Sequence, residues 1–228
     1  NEISPGDAGI RLNLNVIIPK LEKSLNEASW PRKTQAGNSI NTIAQRLSSS
    51  LEESDRLKLI NLLLSGLQGR TFQGKERLVQ ALAGLCKGLN RNHEICGRII
   101  EAAMRECRKE EPLYRTLVLG SLGDILEELE ADRFEEVYGM LWYLLDKKYL
   151  HKTSKSDDSD SDSEADKDKI LSADERNKRA QMLNKLKETV CETLGKSWPK
   201  NSLETQHKFQ QQFAERCSSC LKDNTRPV

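Results

Sequence analysis

The segment Gly69-Arg-Thr-Phe-Gln-Gly-Lys75 matches the first seven positions of a phosphate-binding loop. In such a loop, backbone N–H groups and the lysine hold nucleotide phosphates, a strand precedes the glycine, and a serine or threonine after the lysine binds magnesium. Here a leucine-rich helical pattern precedes Gly69, and Glu76 follows the lysine, where a carboxylate would repel phosphate. The segment therefore predicts a hairpin between two helices, with Phe72 in the core. We accordingly place a nucleotide hydrolase last among the possible functions.

Cysteine and histidine could together bind a metal ion. Cys217 and Cys220, with His207 upstream, offer at most three ligands from one helix, whereas a structural zinc site takes four. The same cysteine spacing suits a redox pair only when it follows a strand in another fold. His93 and two nearby cysteines form an equally incomplete set, and no paired carboxylates or nucleophile with a base stand out. We therefore predict no catalytic, cofactor-binding or metal-binding residues and no cofactor.

Serines that could be phosphorylated lie in a polar insertion, residues 151–172. Residues 156–168 hold seven acids and one lysine, and this composition predicts disorder. Ser159, Ser161 and Ser163 each have an acid three residues later, the pattern that acidic-directed kinases favour. Each phosphate would add a charge of about −1.5 to −2. A passive solvated loop and a regulatory site that tunes binding to a basic partner surface both remain open.

The charge balance excludes some classes of partner. The formal net charge is +1, and the acidic insertion leaves a spread excess of basic residues elsewhere. These basic residues are not clustered into the kind of patch that binds nucleic acid. No run of 18 apolar residues is present, so we predict no membrane span. Six cysteines without a framework spacing indicate a reducing compartment, on the cytosolic side.

The elements that position these residues recur with a fixed period. Trp30, Phe72 and Tyr114 lie 42 positions apart, and each opens a leucine-rich amphipathic helix that follows another such helix. Leucine occurs 32 times and valine six times, which favours helix over strand. A unit of about 40 residues with two helices is typical of HEAT or armadillo repeats, which must stack to bury their apolar faces. We therefore predict an all-α solenoid of HEAT/armadillo-like helical pairs, a fragment of a longer superhelix.

Apolar spacing of three and four residues places the individual helices. Helix 10–27 contains Pro19, which should interrupt and bend it. Ser29 is expected to cap the next helix, which has Pro31 in its first turn. The predicted helices are 10–27, 31–48, 54–68, 73–89, 93–109, 113–130, 132–149, 173–195 and 202–221. These helices make four pairs and a half. The predicted organisation is helical repeats over 1–150, the insertion over 151–172, and further repeats over 173–228.

Several local strings also resemble a known family. They are residues 9–12, 29–36, 67–76, 132–136 and 194–201, and their order and spacing extend over most of residues 9–213. These strings resemble the carboxy-terminal HEAT-repeat region of the extracellular-mutant-twenty-nine family of proteasome adapter and scaffold proteins. The resemblance implies a non-enzymatic solenoid that binds the 26S proteasome, stabilises or tethers its regulatory and core particles, and links them to vesicles, motor proteins or other compartments. It also implies a cytoplasmic and nuclear location, with association with the endoplasmic reticulum, endosomes or vesicles.

One alternative function uses the same fold. A karyopherin-like transport receptor, or another HEAT-repeat interaction scaffold, is also built from helical pairs, and an acidic insertion could contact a basic cargo or a small GTPase. The two functions predict different partners in a lysate, proteasome subunits in the first case and nuclear import cargo in the second.

Overall fold

The computed structural model describes residues 5–145 and 172–222, and all of its regular elements in these ranges are helices. They are α1 (Pro5–Leu12), α2 (Leu14–Asn26), α3 (Trp30–Leu47), α4 (Glu53–Leu67), α5 (Glu76–Cys86), α6 (Ile95–Cys107), α7 (Pro112–Leu129), α8 (Phe134–Leu145), α9 (Ala173–Lys196) and α10 (Leu203–Lys222). Within these ranges, no helix combines the length and apolar composition that crossing a membrane requires.

The helices form two stacked layers. In one layer, α3 packs on α5, α5 on α7 and α7 on α9; in the other, α2 packs on α4 and α4 on α6. Within pairs, α2 packs on α3, α4 on α5, α6 on α7 and α8 on α9. This is the arrangement of an α-solenoid, and the four pairs and a half that the sequence predicts are confirmed in the described residues, with α1 as an additional short helix.

The apolar core is shared between successive pairs. Ile40, Leu82 and Leu122, from three consecutive helices of the first layer, have no exposed surface. The core extends into α9 through Val190 and Leu194, which are also fully buried. Full burial of a leucine or isoleucine side chain stabilises by about 1.5–3 kcal/mol. Stability therefore comes from contacts between neighbouring repeats, as expected for a stacked array.

The prediction that Pro19 interrupts the first helix is wrong. The break lies at Asn13, between α1 and α2, and Pro19 lies inside α2. The Asn13 side-chain amide donates to the Gly9 carbonyl at 2.8 Å and so satisfies an acceptor that α1 leaves free at its end. Pro19 removes one backbone hydrogen bond, and the buried residues Leu21 and Leu25 hold the rest of α2 against the core.

The predicted helix cap is only partly correct. Ser29 occupies the position before α3 with extended backbone angles, and Pro31 lies in the first turn. However, the Ser29 side chain makes no capping hydrogen bond. Side-chain caps form at other helices. At α9 the Ser172 hydroxyl accepts from the Glu175 N–H at 3.2 Å and the Glu175 carboxylate accepts from the Ser172 N–H at 2.9 Å, and at α7 the Glu111 carboxylate accepts from the N–H groups of Leu113 and Tyr114.

Trp30 and Tyr114 lie in the first turns of α3 and α7, and Phe72 lies in the loop before α5. The three residues differ in exposure. Phe72 and Tyr114 are 7% and 4% exposed, whereas Trp30 is 62% exposed. Phe72 is covered by the preceding pair, where the Lys33 ammonium lies 6.0 Å from its ring. The prediction that Phe72 is a core residue is therefore confirmed.

Candidate interaction surface

The loop between α4 and α5 holds the phosphate-loop-like segment, and its lysine is fully buried. The Lys75 ammonium donates to the carbonyls of Leu67 at 2.9 Å and Gly69 at 2.8 Å, which closes the end of α4. It also lies 3.2 Å from a carboxylate oxygen of Glu106 on α6. Burial lowers the pKa of Lys75, against the opposing effect of Glu106. The lysine of the segment is therefore not available to a phosphate.

The second glycine of the segment has a structural role. Gly74 has φ of +90°, and a Cβ added there would lie 2.8 Å from the Thr34 methyl group. The Thr34 hydroxyl lies 2.6 Å from the Gln73 carbonyl, so the loop is joined to α3 of the preceding pair. A glycine is needed here for the left-handed conformation and for the close approach. The resemblance to a nucleotide site is thus explained by a helix hairpin.

A buried polar network links the second and third pairs. The Tyr114 hydroxyl donates to Glu106 at 2.7 Å, and Glu106 in turn faces the Lys75 ammonium. Burial is the main effect that raises the pKa of Tyr114, and the hydrogen bond to Glu106 raises it further. Sequence reasoning missed this network because its members are distant in the chain and follow no common spacing.

Two buried arginines also close helix ends. Arg56 donates to the Leu85 carbonyl at 3.0 Å and to the Lys87 carbonyl, both at the end of α5. Arg115 donates through Nε to the Lys109 carbonyl at 2.9 Å, just after α6. Cations at helix carboxy-terminal ends satisfy carbonyls that the helix leaves free and complement its dipole. These side chains stabilise the stack and are not exposed to a partner.

The predicted metal-ligand candidates do not come together. His207 and Cys217 lie ten residues apart on α10, about 15 Å along a helix, and the side chain of Cys220 lies outside the described residues. His93 accepts through Nδ1 from the Ile95 N–H at 3.1 Å and so acts at the start of α6. In the described ranges, no three His, Cys, Asp or Glu side chains form a group that could hold a metal ion.

Burial controls the chemistry of the cysteines near His93. Cys86 and Cys96 are buried, and burial raises the pKa of both thiols. A raised pKa keeps a thiol protonated and unreactive at neutral pH. They act as small core residues.

The three predicted phosphorylation sites, Ser159, Ser161 and Ser163, lie outside the described residues, as does the insertion up to residue 171.

The layer formed by α3, α5, α7 and α9 carries a surface groove of about 540 Å³. Small residues of α5 and α7 form its floor, among them Ala83, Gly84 and Gly120. A Cβ on Gly84 would lie 3.3 Å from the Cβ of Ala44, so the glycine allows α5 to approach α3 closely. The groove is lined by Gln45, Gln80, Ala83, Gly84, Lys87, Leu117, Gly120, Ser121, Asp124, Glu127 and Glu128.

The two ends of the groove differ in chemistry. Leu117, 39% exposed, lies at the end formed by the first half of α7. Asp124, Glu127 and Glu128 lie along the last turns of α7, and the lining has one basic residue, Lys87. The lining therefore has a formal charge of −2. Such a surface suits binding of a peptide or protein.

The comparisons with known proteins agree with this architecture. The family described as ECM29, C-terminal ARM-like repeats, matches residues 86–228. The chain is 68% identical over 228 residues, all of its length, to the Proteasome-associated protein ECM29 homolog of Drosophila melanogaster. It is 31% identical over 233 aligned positions, covering 97% of the chain, to the Proteasome adapter and scaffold protein ECM29 of Homo sapiens. The chain spans 12% of the length of each relative. No solved structure matches.

Proposed function

Because the chain belongs to the ECM29 family of ARM-like repeat proteins, we propose that it is part of an adapter that binds the 26S proteasome through the exposed surface of its stacked helices. The whole-length identity of 68% to a relative named as proteasome-associated carries this proposal. Within the adapter, these repeats act by being bound and catalyse no reaction.

The roles of the buried charged side chains support an adapter function. The buried cations Arg56, Lys75 and Arg115 all bind protein carbonyls and hold neighbouring helices together. The exposed surface includes a layer formed by α3, α5, α7 and α9, and this layer carries the polar groove of about 540 Å³. A rigid layer of this kind offers a fixed contact surface to a large partner.

Affinity purification of the tagged full-length protein from lysate, followed by mass spectrometry, tests the proposed partner. We expect subunits of both the regulatory and the core particle of the proteasome. Recovery of nuclear import cargo or a small GTPase, without proteasome subunits, would support the karyopherin-like alternative.

We propose that the full-length protein is cytoplasmic and nuclear and joins proteasomes to the endoplasmic reticulum, endosomes, vesicles or motor proteins. Imaging of the tagged full-length protein beside organelle markers tests this. A diffuse signal that never coincides with a marker, even when proteasomes are bound, would contradict the linkage.

We also propose that phosphorylation of Ser159, Ser161 and Ser163 tunes binding to a basic partner surface. The observation behind it is the acid three residues after each serine. Kinase treatment of the full-length protein should change its affinity for proteasomes, and replacement of the three serines by alanine should abolish the change. Equal affinity before and after phosphorylation of the unaltered protein would remove this proposal.

A further inference from the structure

The groove between α5 and α7 has an acidic end that helix stability does not explain. A helix dipole favours basic residues in the last turn, and a surface charge there contributes about 0.3–1 kcal/mol. The last turn of α7 contains no basic residue, and Glu127 and Glu128 both occupy it. The negative charge of each of these acids therefore interacts unfavourably with the dipole of α7.

Nearby cations only partly offset the acids. Lys196 of α9 forms an ion pair with Asp124. Arg91 lies 2.6 Å from the Glu130 carboxylate and donates to the Glu128 backbone carbonyl at 3.2 Å. In the part of the chain that the structure describes, no basic side chain forms an ion pair with the carboxylates of Glu127 or Glu128.

The dimensions of the groove indicate what it could hold. Leu117 and Glu127 lie ten residues apart on α7, about 15 Å along the helix. In an extended peptide, side chains four residues apart point to the same side and are separated by about 13 Å. The amides of Gln45 and Gln80 line the same groove and can pair with the backbone of such a peptide.

We propose that this groove binds an extended peptide segment of a partner protein, in which a lysine or arginine stands four residues from an aliphatic side chain. The basic residue meets Glu127 and Glu128, and the aliphatic residue meets Leu117. The negative lining disfavours nucleic acid and the acidic insertion of this chain. The inference rests on the proposed adapter function, since it names the chemistry of a bound partner.

Fluorescence anisotropy with the full-length protein tests the proposal directly. The probes are the labelled peptide Gly-Leu-Ser-Thr-Ser-Arg-Gly, its reversed-order counterpart, and versions of both with glutamate in place of arginine. We expect saturable binding of at least one arginine peptide, weakened by added salt because exposed charges are screened. The glutamate peptides should not bind.

Charge variants locate the site. E127Q/E128Q should weaken peptide binding at least tenfold at low salt, while thermal stability stays equal or rises because the helix dipole is no longer opposed. The matched control E22Q/E101Q removes the same charge from exposed residues on α2 and α6, in the other layer, and should change affinity less than twofold. An equal effect of both double variants would overturn the site assignment.

A volume variant tests the groove without changing charge. A Cβ on Gly120 meets no atom closer than the Thr189 methyl group at 4.0 Å, so Gly120→Leu adds side-chain volume to the groove lining without a clash at its Cβ. We expect loss of peptide binding with an unchanged or higher unfolding temperature. Unchanged binding in Gly120→Leu, or no binding of any probe to the unaltered protein, would contradict the proposal.

Proteasome purification with the same variants separates this inference from the proposed function. Loss of peptide binding while proteasomes are retained supports the groove as a site for a different partner. Loss of both supports the groove as a proteasome contact. Self-association that disappears in E127Q/E128Q would assign the groove to a second copy of the chain and overturn the proposal. If the unaltered protein recovers no proteasome but binds the peptide, only the proposed function fails.

Discussion

Lys75 shows how a residue that suggests chemistry in the sequence becomes structural in the fold. Its ammonium lies between the end of α4 and Glu106 of the next pair, with no exposed surface. The decisive partner is 31 positions away, which a linear pattern cannot reveal. The absence of a strand before Gly69 and the presence of Glu76 could be read from the sequence, and the helix hairpin that they predict is confirmed.

The buried pair makes a prediction about stability. Lys75→Met should lower the free energy of unfolding by about 3–5 kcal/mol, because Glu106 is then buried without its cation. Adding Glu106→Gln to that variant should recover part of the loss, since no unpaired charge remains. Chemical denaturation of the single and double variants measures both values. A double variant at least as unstable as Lys75→Met would show that the pair is not coupled.

We expect Tyr114 to make the folded chain less stable at alkaline pH. Its pKa is raised in the folded chain, first by burial and then by Glu106, so the folded state keeps the proton while an unfolded tyrosine releases it near pH 10. The folded state then binds more protons, and stability falls as pH rises above about 10. Tyr114→Phe should lower stability at neutral pH by about 1–3 kcal/mol through the lost hydrogen bond, and should reduce the alkaline slope. Denaturation at several pH values measures the difference, and parallel curves for the two proteins would contradict it.

At the scale of helices, apolar periodicity predicted most elements because each helix buries one continuous stripe. For the seven predicted helices other than 10–27 and 132–149, the starts and ends were shifted by up to three residues, as for the helix predicted at 73–89 and found as α5, Glu76–Cys86. The break at Asn13 could not be predicted, because it depends on a side-chain contact with Gly9 and not on apolar spacing. The close approach of neighbouring helices could not be predicted either, because it depends on glycines whose neighbours in space come from other repeats.

Two glycines on neighbouring helices predict different effects of the same substitution on stability. Gly120→Ala should stabilise by up to about 1 kcal/mol, because alanine favours helix and its Cβ has space. Gly84→Ala should stabilise less or destabilise, because its Cβ would lie 3.3 Å from both the Ala44 Cβ and the Gln45 amide nitrogen. Thermal denaturation of both variants checks the order. An equal gain for both would mean that α3 and α5 are not tightly packed.

At the scale of the molecule, the repeat period predicted the solenoid, since a 42-residue spacing of paired helices permits few other folds. The groove could not be predicted, because it needs the relative placement of α3, α5 and α7. Trp30 illustrates the same limit. Its position in the repeat was evident, but its exposure depends on which helices lie beside it, and only Phe72 and Tyr114 are covered by a preceding pair.

The proposed function requires these repeats to bind the proteasome through their exposed helical surface. Crosslinking mass spectrometry of the full-length protein bound to 26S proteasomes, with lysine-reactive reagents, shows which lysines lie at that contact. We expect crosslinks from Lys87 and Lys196, beside the groove layer, to proteasome subunits, and fewer from Lys20 and Lys58 on α2 and α4. Crosslinks to proteasome subunits from other parts of the protein, with none from any lysine in residues 5–222, would contradict the claim.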